Sequence, residues 1–355
     1  MDQKKRVLLL FGGESSEHKI SGISAASVLE HMNKDAYDIL TCGITETGSW
    51  YLTDADPQRM RDGSWKQKEN NRPMTVSLDR DRRGFFCSGP EGSWEYLPVD
   101  VVFPVLHGKN GEDGTVQGLL QMAGLPYVGS STGSSAACMD KAMAKAIVEQ
   151  AEAADQAKCC IVHRAGCDPE EAAEGIGLFF QGKYPLFVKP SSAGSSVGVS
   201  KVASAQGLVS AMETAFAEDS KILIEEAIEG RELEVAVLGN DDPAASCIGE
   251  IFPAHEFYDY EAKYEDQASR TGIADDLSDP LKEEIRETAV RIYRLLQCRG
   301  LARVDFFLQK DGNVIFNEVN TMPGFTSISM YPALWEAEGI PYEALIDRLI
   351  GLALE

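Results

Sequence analysis

Short apolar runs separated by glycine-rich polar loops set the rhythm of this chain. VLLLF over 7–11 is five residues long and stops at Gly12-Gly13, which is the length and punctuation of a buried strand. The polar stretch GGESSEHKIS follows, and Ile23, Ala26, Val28 and Leu29 then recur at helical spacing. VVFPVL over 101–106 repeats the scheme, leading through HGKNGEDG into an expected helix over 116–122. Loops at the carboxyl ends of strands are where open α/β sheets bind ligands. Residues 1–129 are therefore expected to form a doubly wound α/β domain that supplies half of a site.

The middle segment, 130–227, contains YPLFVKPSSAGSSVGVSKV, and the last, 228–355, opens with a strand over 232–239. A polar aromatic stretch, HEFYDYEAKYEDQASR, precedes a helix expected over 280–297 with Leu281, Ile285, Ala289, Ile292 and Leu296 on one stripe. Asp279 is its expected N-cap, Pro280 lies in its first turn and Gly300 beyond its end. At 355 residues the chain exceeds what one core usually organises, so an α/β (α+β) protein of two or three domains is expected.

Composition narrows the partners. No apolar run approaches the roughly 20 residues of a membrane helix, and the basic start before VLLLF lacks a cleavage signal, so a cytoplasmic protein is expected. Eight scattered cysteines without C-x-x-C spacing read as reduced thiols. Fifty-six acidic against 33 basic residues give a charge of −23, which repels nucleic acid and anionic membrane and favours small-molecule partners. An anionic ligand would then require lysines and arginines to be gathered locally.

FVKPSSAGSSVGVSKV, over 187–202, offers such a place. Two strand-like runs flank Ser191-Ser192-Ala193-Gly194-Ser195-Ser196, a turn of small residues whose backbone amides can approach phosphate oxygens, with Lys189 at its base. It reads either as a phosphate flap or as an ordinary exposed hairpin. GLFFQGK over 177–183 matches the P-loop pattern only by chance, because Tyr184 replaces Ser or Thr and Pro185 would break the following helix. Near the end, Arg303 and Asp305 lie two apart in LARVDFFL, as do Glu318 and Asn320 in FNEVN. The turn QKDGN makes these strands a hairpin, so Asp305, Glu318 and Asn320 can share one face. Two carboxylates and an amide oxygen suit Mg²⁺, with Arg303 as an anion clamp; a polar cross-strand network is the alternative.

GGESSEHKIS, LHGKNGEDGTVQG, CMDK, FVKPSSAGSSVG, IEEAIEGRELEVAVLG, FYDYEAKY, ARVDFF and NEVNTMPGFTSIS stand in this order along almost the whole chain. Together they closely resemble the D-alanine–D-alanine ligases of the ATP-grasp superfamily. The resemblance implies an ATP-grasp fold after the N-terminal domain, with central and C-terminal subdomains at 130–227 and 228–355. It implies that ATP phosphorylates one D-alanine and that a second attacks the acyl-phosphate, giving the dipeptide used in peptidoglycan. It also implies Mg²⁺ or Mn²⁺ on Asp305, Glu318 and Asn320, and a homodimer. Lys141, Lys189 and Ser196 would hold phosphates, Glu225 and Ile228 the adenine, and Glu232 the ribose. Glu17 would bind the first substrate's ammonium group with His107 nearby, while Arg303 and the amide of Gly324 would stabilise the oxyanion. Lys263 would reach a phosphate or the second carboxylate, Ser329 would bind that carboxylate beside Met330, and Ser195 and Tyr264 would link to Glu17. Residues 255–272 would form a lid. Lys19 and Ile328 depart from the family's pattern; the apolar Met330 and the retained Tyr264 favour D-alanine as second substrate, while Lys19 keeps D-serine or D-lactate open, and a catalytically weak sensor of ATP or D-amino acids is the remaining alternative.

Overall fold

The computed structural model describes residues 4–54, 56–252, 270–326 and 328–355. Three sheets organise them. In the first, Lys5–Gly12 runs parallel to Tyr37–Ile44 on one side and to Val101–Pro104 on the other. Alternate residues of Lys5–Gly12 enter different cores: Val7, Leu9 and Phe11 pack with the His18–His31 helix, while Leu8 and Leu10 pack with Thr115–Ala123. Helices on both faces bury Val7 to Phe11 completely, which is why they read as a continuous apolar run. Four further strands, Trp50–Thr53, Arg72–Val76, Gly84–Ser88 and Trp94–Pro98, extend the sheet as an antiparallel meander.

The second sheet sets Leu186–Pro190 between Ser200–Val202 and Lys221–Glu226, with Cys159–His163 outermost, all antiparallel. The helices Pro169–Phe179 and Leu208–Glu218 bury one face of it. Because GLFFQGK closes the first of these helices and Pro185 leads into a strand, no helix follows that segment and no P-loop is built.

The third sheet runs Arg270–Ile273, Ala244–Phe252, Arg231–Gly239, Gly300–Leu308, Val314–Asn320 and Asp155–Gln156 in spatial order. The Asp279–Leu295 helix covers one face through Ile285, Ala289 and Ile292. Its N-cap is Ser278 rather than Asp279, which instead places a carboxylate in the first turn, where the helix dipole favours it. Of the 255–272 segment only Arg270–Gly272 lies among the described residues, at the start of the Arg270–Ile273 strand.

One irregularity in this sheet bears on chemistry. Phe306 pairs with Phe316, yet the next residue of the same strand, Asp305, pairs with Glu318, leaving Asn317 as an extra residue. Such a bulge re-aims the side chains that follow it. Without it, Asn317 would face Asp305, and Glu318 would fall on the opposite face.

The Met330–Ala337 and Tyr342–Ala353 helices cover the sheet's other face and share a core with the N-terminal domain. Phe325 is the keystone of that core: fully buried, its ring lies against Phe103, Tyr331 and Tyr342, and Tyr342 Oη donates to its carbonyl at 2.6 Å. Phe325→Ala is expected to lower unfolding stability by about 3–5 kcal/mol, measured by denaturant melts.

Candidate active site

The strands Arg231–Gly239, Gly300–Leu308 and Val314–Asn320 place a row of charge across the third sheet. Glu234 pairs with Asp305, and Asp305 with Glu318, so three carboxylates stand side by side on neighbouring strands. Arg303, two residues from Asp305 and therefore on the same face, grips it with two bonds: Nε to Oδ1 at 2.7 Å and Nη2 to Oδ2 at 2.8 Å. Its Nη2 also lies 3.2 Å from Glu234 Oε1. Burial opposes the guanidinium's charge, but the neighbouring Asp305 and Glu234 more than offset this and hold the group firmly cationic. Asn320, opposite Arg303, donates to Asp305 Oδ2 at 3.0 Å.

The same residues fit a metal. Asp305 Oδ1 keeps a lone pair beyond the one engaged by Arg303, whereas Oδ2 already accepts from both Arg303 and Asn320, so Asn320 would turn its amide to bring its carbonyl oxygen to a metal. Among the described residues no group of three carboxylate, imidazole or thiolate side chains closes around a single metal position. Two carboxylates with one amide oxygen leave more positions for water and phosphate, as Mg²⁺ requires.

One lysine reaches this row, and two more pair with Glu225. Asp140 caps the Lys141–Gln150 helix through Met143 N–H, accepts from the buried Ser191 hydroxyl at 2.7 Å, and pairs with Lys221. Backbone Lys141 N–H bonds to Ser191 O at 2.8 Å. This latch fixes the first turn against the flap root, and Lys141 Nζ reaches Glu318 Oε2 at 3.2 Å and the Ala193 carbonyl at 2.8 Å. Lys189 is paired with Glu225, and a third lysine absent from the sequence reading, Lys145, lies 2.7 Å from the other oxygen of Glu225. Burial pushes Glu225 towards neutrality, but the two lysine charges outweigh it and hold its pKa below the usual carboxylate value. Lys189 shows the converse: burial lowers its pKa, and the charge of Glu225 raises it further.

The flap is a hairpin as expected, with Leu186 opposite Val202. Its tip bends through Ser195 and Ser196, both at positive φ, and returns to the N-terminal domain. There Ser195 Oγ donates to Glu17 Oε1. Glu17 is buried at the start of the His18–His31 helix, and glycines frame it: a Cβ on either Gly108 or Gly194 would stand 2.7 Å from Glu17 Oε2. A side chain at either position would have to push the carboxylate aside.

Beyond Glu17 lies His107, buried, with Nε2 3.0 Å from Ser24 Oγ and Nδ1 3.1 Å from the Met322 carbonyl. Burial lowers its pKa, only partly opposed by the charge of Glu17, so the ring is neutral near pH 7. Glu112 completes the link. Its carboxyl group accepts from Gly108 N at 2.7 Å and Met322 N at 3.4 Å, tying the second loop to the loop after Asn320. Burial first, and the charge of Glu17 second, push its pKa up to about 8. The acid in GEDG gave no sign of this, because its burial depends on a segment 210 residues away.

Ser329 Oγ accepts from Thr326 N at 3.0 Å and sits 3.0 Å from where a side chain on Gly324 would begin, so these two expected residues adjoin. Met330 is packed in the core, with its sulfur against the face of Gly249. Glu232 lies on Arg231–Gly239 and Ile228 just before it, half-buried. Lys19 and Ile328 are exposed. Lys263 and Tyr264 lie outside the described residues.

Comparison with known proteins agrees with this geometry. The "D-ala D-ala ligase N-terminus" family matches residues 6–130 and the "D-ala D-ala ligase C-terminus" family residues 177–351. A D-alanine–D-alanine ligase of Acetivibrio thermocellus is 48% identical, covering 100% of this chain and 97% of that one; one of Ruminiclostridium cellulolyticum is 47% identical, at 99% and 96%. Among solved structures, the VanG D-Ala:D-Ser ligase of Enterococcus faecalis has a TM-score of 0.88 at 40% identity, covering 99% of this chain and 100% of that one. The D-alanine–D-alanine ligase of Coxiella burnetii has 0.86 at 35% identity, covering 99% and 94%. ATP and a metal ion are the cofactors of this family of ADP-forming ligases. With both family halves matched and near-half identity along its full length, the chain belongs to the D-alanine–D-alanine ligase family.

Proposed function

We propose that the chain joins two D-alanines into D-alanyl-D-alanine at the expense of ATP, through an acyl-phosphate, as a cytoplasmic step of cell-wall synthesis. The observation that carries the reading is the Ser195–Glu17 bond, which brings the flap with its phosphate-type lysine onto a buried carboxylate of the N-terminal domain. Glu17 is the counter-charge for the ammonium group of the first D-alanine. The neutral His107 and Glu112 beside it add no charge of their own. Ser195 orients Glu17, and Tyr264 is assigned the same role from the family likeness. Lys141, Lys189, the Ser196 region of the flap and Lys263 receive phosphates. Glu225 and Ile228 hold the adenine, and Glu232 the ribose.

Mg²⁺, or Mn²⁺ in its place, held by Asp305, Glu318 and Asn320, would neutralise phosphate charge when bound. Arg303 and the Gly324 amide face the oxyanion that forms when the second amine attacks, and fixed donors of this kind stabilise developing charge. Ser329 takes the second carboxylate. The first sheet lies within 1–129 and the second within 130–227, although Asp155–Gln156 joins the third sheet; a homodimer follows from the family likeness alone. Among the described residues no helix is long and apolar enough to cross a membrane.

D-Serine is the second reading, because the Enterococcus neighbour is a D-Ala:D-Ser ligase. The exposure of Lys19 and Ile328 favours D-alanine, since neither departure reaches a buried contact. Phosphate release with ATP and D-alanine, repeated with D-serine or D-lactate and with products weighed by mass spectrometry, should give D-Ala–D-Ala as the dominant product. A mixed product would establish the broader ligase, and ATP binding without phosphate release would leave a sensor.

Glu318→Ala should lower kcat by about three orders of magnitude or more while leaving the melting temperature nearly unchanged; near-normal turnover would remove the metal assignment. For Glu112 the folded pKa is raised, so its stabilising contribution is complete at acid pH and is lost as pH climbs through about 8. Glu112→Gln should therefore gain stability relative to the parent between pH 5 and pH 9 by more than about 1 kcal/mol, read from melts at each pH.

A further inference from the structure

Lys145 takes no part in the scheme above, yet it is as buried as any core residue, at 4% exposure. It lies one helical turn after Lys141 on the Lys141–Gln150 helix, so the two side chains leave the same face. Gln156 Nε2 donates to its carbonyl at 3.0 Å, and its ammonium group stands 5.8 Å from the centre of the Phe316 ring and 2.7 Å from Glu225 Oε1. That contact is an ion pair without a well-directed hydrogen bond, so Glu225 Oε1 keeps acceptor capacity. Lys189 holds the other oxygen.

Two demands compete for Lys189 once a nucleotide arrives. The triphosphate calls for its ammonium group, while Glu225, 4% exposed, cannot be left as a lone buried carboxylate, because stripping a partner from a buried ion pair leaves an uncompensated charge. A second, permanent cation resolves the conflict. We propose that Lys145 is a positioning residue that keeps Glu225 ionised and aimed as an acceptor for the exocyclic amino group of a purine, so that Lys189 is free to move from Glu225 to phosphate. The proposal rests on the ATP reading above.

The test uses the full-length enzyme with ATP and with ITP, whose base carries an oxygen where ATP carries the amino group. Lys145→Met should raise KM for ATP by about two orders of magnitude with kcat at saturating ATP changed by less than about tenfold. The preference for ATP over ITP should shrink at least about tenfold, because a protonated Glu225 no longer selects a donor. Lys145→Arg should restore both. An unchanged KM and an unchanged ATP/ITP ratio in Lys145→Met would overturn the role of Lys145 while leaving ATP as substrate. Failure of the parent enzyme to use ATP would instead overturn the underlying reading. Should Lys145→Met fail to fold, Lys145→Met/Glu225→Gln replaces it: its KM should match that of Glu225→Gln within about threefold. A further loss of about tenfold or more would mean that Lys145 does not act through Glu225 and would equally sink the idea.

Discussion

Everything in this site follows from one electrostatic constraint: a protein with a net charge of −23 must bring a triphosphate and a carboxylate together. Repulsion at that distance, in a partly dry cleft, is far stronger than in water. The fold answers by burying cations, and it can bury them only with partners, because a lone charge in a low-dielectric interior is too costly. Each cation therefore rests on a carboxylate: Arg303 on Asp305 and Glu234, Lys141 on Glu318, Lys189 and Lys145 on Glu225. The acidic residues of the site are thus the stores of its positive charge.

The amino-acid half of the site is governed by shape. Two loops from the first sheet and the tip of the flap converge on Glu17, and Gly108 and Gly194 let them do so. His107 and Glu112 then bind Met322, so the loop that carries Gly324 and Ser329 is registered against the N-terminal domain by hydrogen bonds as well as by the packing of Phe325.

Patterns carried by neighbouring residues were legible in the sequence. The flap, the hairpin carrying Arg303, Asp305, Glu318 and Asn320, and the false P-loop all follow from local spacing and turn chemistry, and the structure has them so. Properties created by distant contacts were not. Glu112 looks like any loop acid until Met322 covers it, and Lys145 like a surface lysine until Glu225 and Phe316 enclose it. Met330 begins a helix whose first turn is buried in the core. The Asp279 cap moved by one residue, a shift within the ambiguity of adjacent capping side chains.

The extra residue at Asn317 sets regularity against chemistry. The same residues paired evenly, with Asn317 taken into the ladder opposite Asp305, would continue the pairing without a break. Beyond that point, however, Val319 would turn towards the cleft and Glu318 and Asn320 into the core. The acids therefore reach the cleft only because one residue, Asn317, is left out of the ladder, a constraint on pairing that no single side chain reveals.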